Sequence, residues 1–179
     1  LVVAGVADTS HNLSTTNDNA EICLPCHIPH NTDETMGFLW NHAYPEDSAF
    51  TVHEDASLGI ESLACMGCHD GQTTRDDYFG GHNGGGALTG RAALGTVLTD
   101  DHPVGIEYPT DSRYATKGTT STGVPGINAG TGKDLPLFSN GGVDQIECAT
   151  CHSAHATEDH FLRFSNNGSA LCIACHTSW

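Results

Sequence analysis

All eight cysteines of this 179-residue chain fall in one repeated pattern, Cys-x-x-Cys-His, which occurs four times. The units are Cys23-Leu24-Pro25-Cys26-His27, Cys65-Met66-Gly67-Cys68-His69, Cys148-Ala149-Thr150-Cys151-His152 and Cys172-Ile173-Ala174-Cys175-His176. Two thiols three residues apart can each bond to one edge of a haem, and the histidine that follows then sits under the iron. Zinc ribbons also pair Cys-x-x-Cys units, but they need no histidine after every second cysteine. A disulfide closed within Cys-x-x-Cys is usually a redox site, not a staple. The pattern therefore predicts four haem c groups, joined by thioethers at those eight cysteines. His27, His69, His152 and His176 become the proximal iron ligands, and no cysteine is left for nucleophilic catalysis.

Four haems in 179 residues leave about 45 residues each, too few to bury a cofactor in a conventional core. Hydrophobic residues make up 37% and glycines number 21, so regular secondary structure should be sparse. The expected fold class is a multihaem cytochrome c, mostly coil with short helices and one small β-hairpin. The haems then supply much of the buried apolar surface, and the haem-free chain is not expected to fold. No domain boundary is visible, so residues 1–179 read as one domain.

The motifs are unevenly spaced, with intervals of 37, 78 and 19 residues. The long middle interval contains Gly80 to Gly86 and Thr116 to Gly132, which read as loops. Leu135 to Phe138 and Val143 to Cys148, separated by Ser139-Asn140-Gly141-Gly142, read as a hairpin. Short helices are expected around Asp18 to Cys26 and Ser169 to His176.

Setting aside the four proximal residues, eight of the 12 histidines remain. Methionine, the usual alternative axial ligand, is nearly absent: Met66 lies inside a motif, which leaves Met36. The supply points to bis-histidine haems, low in potential beside Met/His ones. A filled second position leaves no room for a small substrate, which argues against an enzyme. His30 and His155 each lie three residues past a proximal histidine. Neither can reach the opposite face of its own haem, so each is expected to ligate a neighbouring one, tethering two irons close together. His102, stiffened by Pro103, and His11 complete the distal set of His11, His30, His102 and His155. His42 is a weaker candidate, and His53, His82 and His160 read as surface residues.

Charge narrows the partners. With 22 acidic against 6 basic residues the formal net charge is −16, which disfavours nucleic acid and anionic lipid. So few basic residues also speak against a reductase acting on small oxyanions. No stretch is apolar and long enough to span a membrane. Leu1 to Ala7 reads as a mature N-terminus left after signal cleavage, in keeping with a haem attachment chemistry that occurs outside the cytoplasm. The sequons Asn12-Leu13-Ser14 and Asn167-Gly168-Ser169 are compatible with export. The Asp pairs at 76–77 and 100–101 read as solvated loops.

The chain resembles the tetrahaem cytochromes that polymerise into extracellular filaments, the OmcE type. The resemblance is carried by Ser10-His11-Asn12-Leu13-Ser14, Cys23 to His30, Leu39-Trp40-Asn41, Cys65 to Gly71, Asp101 to Tyr108, Cys148 to His155, Phe161-Leu162-Arg163 and Cys172 to His176. It implies a coil-rich fold wrapped around a continuous haem stack. It also implies bis-histidine ligation throughout, with one distal histidine supplied by the adjacent subunit; His11 and His30 are the natural candidates, with His42 as a possible substitute. Identical subunits would then join head to tail without closing, passing electrons from redox partner cytochromes to extracellular acceptors. The alternative is a monomeric periplasmic or surface shuttle with every ligand in one chain.

Overall fold

The computed structural model describes residues 5–32, 35, 37–81, 85–130 and 133–178. Leu1 to Ala4, Met36 and His82 therefore lie outside the described residues. Regular structure is sparse, as the composition demands. The described helices are α1 (Ile60–His69), α2 (Cys148–Cys151) and α3 (Ala170–Cys175), with several single 3-10 turns. Six short strands follow α1: β1 (Ile106–Glu107), β2 (Gly118–Thr119), β3 (Pro125–Asn128), β4 (Asp134–Pro136), β5 (Phe138–Asn140) and β6 (Val143–Ile146).

The strands form two antiparallel sheets, β1-β6-β5 and β2-β3-β4. The expected hairpin exists, but its first strand is β5 and not Leu135 to Phe138. Gly141 and Gly142 both take positive φ, the conformation a two-residue primed turn requires. That turn sets Asn140 opposite Val143 and Phe138 opposite Gln145. Leu135 belongs to the other sheet, where it faces Ile127. The single residue Leu137 carries the chain from one sheet to the other. Thr116 to Gly132, expected as loop, contains β2 and β3. Two strands hide there because only Ile127 and Val124 give the segment apolar character. Their pairing depends on β4, which lies later in the chain.

The expected helix around Asp18 to Cys26 is absent. The buried Asn17 side chain both donates to the Glu21 carbonyl at 2.9 Å and accepts from the Glu21 N–H at 2.9 Å. A short polar side chain thus takes over backbone groups that a helix would use. The helix expected at Ser169 to His176 is α3.

Two small cores position the motifs. Tyr108, Ile127, Leu135, Leu137, Ile146 and Phe164 form one, with Ala170, Leu171 and Ala174 of α3 packed on it. Phe50, Leu58, Leu63, Met66 and Leu98 form the other, around α1. α1 buries Leu63 and Met66, three apart on one face, together with Ser62 and Gly67. Cys65 and Cys68 share a neighbouring face by the same spacing. A Cβ on Gly67 would meet the Ala43 carbonyl at 2.3 Å, so the motif's second variable position must be glycine here.

Gly67→Ala is expected to destabilise the folded protein by about 1–3 kcal/mol through overpacking, despite alanine's better helix propensity. Denaturant titration followed by circular dichroism measures this; an unchanged or raised midpoint would contradict the packing account.

Candidate functional site

Each motif closes one helical turn from its first cysteine to its histidine. The His27 N–H donates to the Cys23 carbonyl at 2.8 Å, His152 to Cys148 at 3.1 Å and His176 to Cys172 at 2.9 Å. In the second motif this turn is the C-terminal end of α1. The turn brings both thiols and the imidazole to one side of the chain, as attachment to a single haem requires.

A strap of backbone from elsewhere then closes on each motif. In the first, Asn41 donates to the Cys26 carbonyl and Ile28 to the Leu39 carbonyl, at 3.0 and 2.9 Å. The third repeats this pattern, with Arg163 donating to Cys151 and Ser153 to Phe161. In the fourth, Ala115 donates to Cys175 and Thr177 to Arg113; in the second, Leu94 donates to His69. The straps place carbonyl oxygens at the imidazoles. His27 Nδ1 lies 2.7 Å from the Phe38 oxygen, His69 Nδ1 2.7 Å from the Ala92 oxygen and His152 Nδ1 2.8 Å from the His160 oxygen. A carbonyl only accepts, so Nδ1 must carry a proton, and in the neutral ring Nε2 then keeps a free lone pair. This is the tautomer and aim that a metal-binding imidazole needs.

Two of the straps hold this shape through strain. Phe38 and Leu39 in the first, and His160 and Phe161 in the third, all sit at φ between 54° and 58°. Non-glycine residues rarely enter that left-handed region. Consecutive pairs at equivalent places show one device used twice.

Histidine rings meet three of the proximal ones. The His155 ring lies 6.1 Å from that of His27, His11 lies 6.2 Å from His69, and His102 lies 6.4 Å from His176. One metal shared between two imidazoles would need about 2 Å of bond on each side. Adding the ring radii puts the centroids roughly 6 Å apart. His102 Nδ1 is 3.1 Å from the Pro103 carbonyl and His11 Nδ1 is 3.4 Å from that of Ala154. Burial lowers the His11 pKa, the Ala154 carbonyl opposes this, and His69 and His155 add to the lowering. The neutral ring, the ligating form, is thereby favoured.

The remaining histidines differ. His30 is exposed, with Asn31 Nδ2 3.1 Å from its Nδ1. Among the described residues no histidine ring makes a ring contact with His30, and none does with His152. His42 is buried and both its nitrogens are engaged, Nδ1 at the Ala43 carbonyl and Nε2 3.3 Å from Cys68 Sγ. It is brought opposite no proximal imidazole. His53 Nε2 is 3.2 Å from the Asp101 carbonyl, and His160 pairs at the surface with Asp159.

The thiols fit covalent attachment to neighbouring groups. Burial pushes Cys26 up to about 11 with Cys23 adding, Cys68 to about 12 with Cys26 adding, and Cys151 to about 11 with Cys175 adding. The neighbouring Cys148 thiol, with burial, raises Cys65. These interactions bring motifs one and two, two and three, and three and four within reach of each other in turn. The buried indole N–H of Trp40, beside His27, lacks a partner among the described residues and suits a cofactor carrying acceptor oxygens. The thioether positions, the aimed imidazoles and this donor together fit haem c. Among the described residues no cluster of three His, Cys, Asp or Glu side chains is arranged for a freestanding metal ion, and no helix is long and apolar enough to cross a membrane.

Sequence reasoning missed the carbonyls of Phe38, Ala92 and His160, which no side chain marks. It also missed Glu147. That carboxyl is buried against α1, accepting from the Gly59 N–H at 3.0 Å and from the Ser62 hydroxyl.

Residues 140–178, which hold the third and fourth motifs, match the family model described as the doubled CXXCH motif. This match points to c-type haem binding and electron transfer of the multihaem cytochrome kind. No curated protein matches the chain.

Burial pushes the Glu147 carboxyl up to about 7, against the donors Ser62 and Gly59. A carboxyl raised on folding favours the folded state at acid pH, and that contribution is lost as pH rises through about 7. Stability is therefore expected to fall by roughly 2–3 kcal/mol from this group between about pH 4.5 and about pH 7.5. Denaturant midpoints measured across that range should lose much of this slope in Glu147→Gln.

Proposed function

We propose that this chain carries four haem c groups, one on each motif, and passes electrons along them as the repeating subunit of an extracellular filament. When bound, such haems supply reversible one-electron chemistry at iron. The protein residues hold them, aim their axial imidazoles and exclude competing ligands.

The observation that carries the reading is the set of histidine rings 6.1 to 6.4 Å apart, which fits bis-histidine ligation at His27/His155, His69/His11 and His176/His102. The His155 pairing supports the tether expected from sequence: three residues past His152, it reaches the ring of another motif. The first motif has the matching residue, His30, three past His27. Among the described residues of one chain, His30 meets no proximal ring and His152 meets no distal one. Both needs are satisfied when His30 of one subunit ligates the iron above His152 of the next. Contacts of that kind join unlike surfaces and extend head to tail. His11, opposite His69 in its own chain, is then released from the role of joining subunits.

Filled axial positions leave no open iron for a substrate, so the function is electron relay and not catalysis. The strongly acidic surface keeps assemblies soluble and turns away nucleic acid and anionic membranes. The partners in this reading are identical subunits, redox cytochromes and external acceptors. The place is outside the cell or at its surface, reached through the periplasm or its equivalent.

His30→Ala is expected to abolish filaments in electron micrographs and to convert one haem in four to high spin by electron paramagnetic resonance. Persistent filaments with wholly low-spin haem would sink the assembly proposal. His155→Ala should also produce one high-spin haem, but this defect persists in isolated subunits, because its iron is ligated within the chain.

A further inference from the structure

Glu147 is the most deeply buried charged side chain among the described residues, 1% exposed, and the ligand reading leaves it unused. It stands at the start of two helices. As the residue before α2 it leads directly into Cys148, and its carboxyl receives the Gly59 N–H and the Ser62 hydroxyl from the first turn of α1. Ser62 Oγ in turn accepts from the Cys148 N–H at 2.9 Å. Cys65 lies on α1 and Cys148 opens α2, so the two thiols neighbour each other at the same junction. One carboxyl thus lies where the second and third motifs meet. Those sulfurs bind the porphyrin edge, not the iron, and as thioethers they carry no charge.

The charged groups acting on this carboxyl are Glu61 of α1 and Asp47 of the turn at Asp47–Ala49, both acidic. No cation is among them. In so enclosed a place, water screens a change of charge at a nearby iron only weakly.

We infer that Glu147 is a redox-linked proton site that sets the potential of the haems attached at the second and third motifs. The inference rests on the haem assignment proposed above. When a one-electron donor cytochrome reduces one of these irons from ferric to ferrous, the site loses one positive charge. The Glu147 carboxylate then takes a proton from water to become the neutral acid. When the electron passes on to the acceptor, the proton returns to solvent. Ionised, the carboxylate favours the ferric iron and holds the potential down; protonated, it releases that hold. Because burial sets its titration near neutrality, both forms are accessible under ordinary conditions.

The test is a spectroelectrochemical titration of the haem-loaded protein from about pH 5 to about pH 9, with proton uptake on reduction read by an indicator dye. In the wild type, part of the haem population should fall in potential as pH rises through neutrality, with up to about one proton taken up per chain. Glu147→Gln should hold those haems at their acid-limit potential, flatten the slope and lose most of the uptake. Ser62→Ala removes a hydrogen bond from the ionised carboxylate, so the pH-dependent window should move upward; it serves as the second variant if Glu147→Gln loads poorly. A Glu147→Gln protein with wild-type slope and uptake overturns the inference and assigns the proton to another group, such as the haem propionates. Haem content and spin state, measured on the same samples, keep the outcomes apart. Missing or high-spin haem in the wild type would count against the haem assignment itself, whereas normal spectra with an unchanged slope would count against Glu147 alone.

Discussion

A backbone carbonyl has no proton to give, so a neutral histidine that meets one through Nδ1 presents the other nitrogen bare. That one-way bond is what the straps deliver to His27, His69 and His152. Much of the remaining structure serves to bring straps to motifs. The left-handed pairs at Phe38-Leu39 and His160-Phe161 curl the chain so that a carbonyl two residues before the bridging residue points back at the ring. Backbone strain of this kind persists only where surrounding structure holds it, and here it lies beside the residues proposed to bind iron.

The protein around these bonds is thin. Two clusters of five and six buried side chains anchor α1 and α3. The first motif has no helix and relies on its single turn, its strap and the Asn17 loop. Several large apolar side chains remain exposed, among them Phe38, Leu39, Phe79 and Ile173. For so short a chain, proposed to bear four large flat cofactors, such surface is what haem attachment would cover. Stability and cofactor loading are coupled on this account, with each haem acting as part of the core.

Between the motifs, polar chemistry replaces apolar packing. Glu147 and Ser62 join the start of α1 to the start of α2 through hydrogen bonds, in a protein with only six cationic side chains to offset its acids. A buried carboxyl with acidic neighbours is a costly joint. Its persistence is understandable if the carboxyl also answers to charge at the irons on either side.

The residues proposed to hold a cofactor were legible in the one-dimensional chain, because covalent attachment imposes local spacing. Cys-x-x-Cys-His is a single turn whose chemistry is complete within five residues. Histidine supply, methionine scarcity and the three-residue tether at His155 were equally local facts. The position of α3 and the Gly141-Gly142 hairpin turn were readable for the same reason. What tertiary structure alone decided is which ring meets which. His11 and His69 are 58 positions apart, and His102 and His176 are 74 apart; no local pattern pairs them. The same holds for β3, which is held between β2 and β4, and for the strap carbonyls, which any residue type could supply. Glu147 was hidden because nothing in its sequence surroundings records that Gly59 and Ser62 will fold against it. Local stereochemistry writes the attachment sites, while long-range packing decides how those sites face one another.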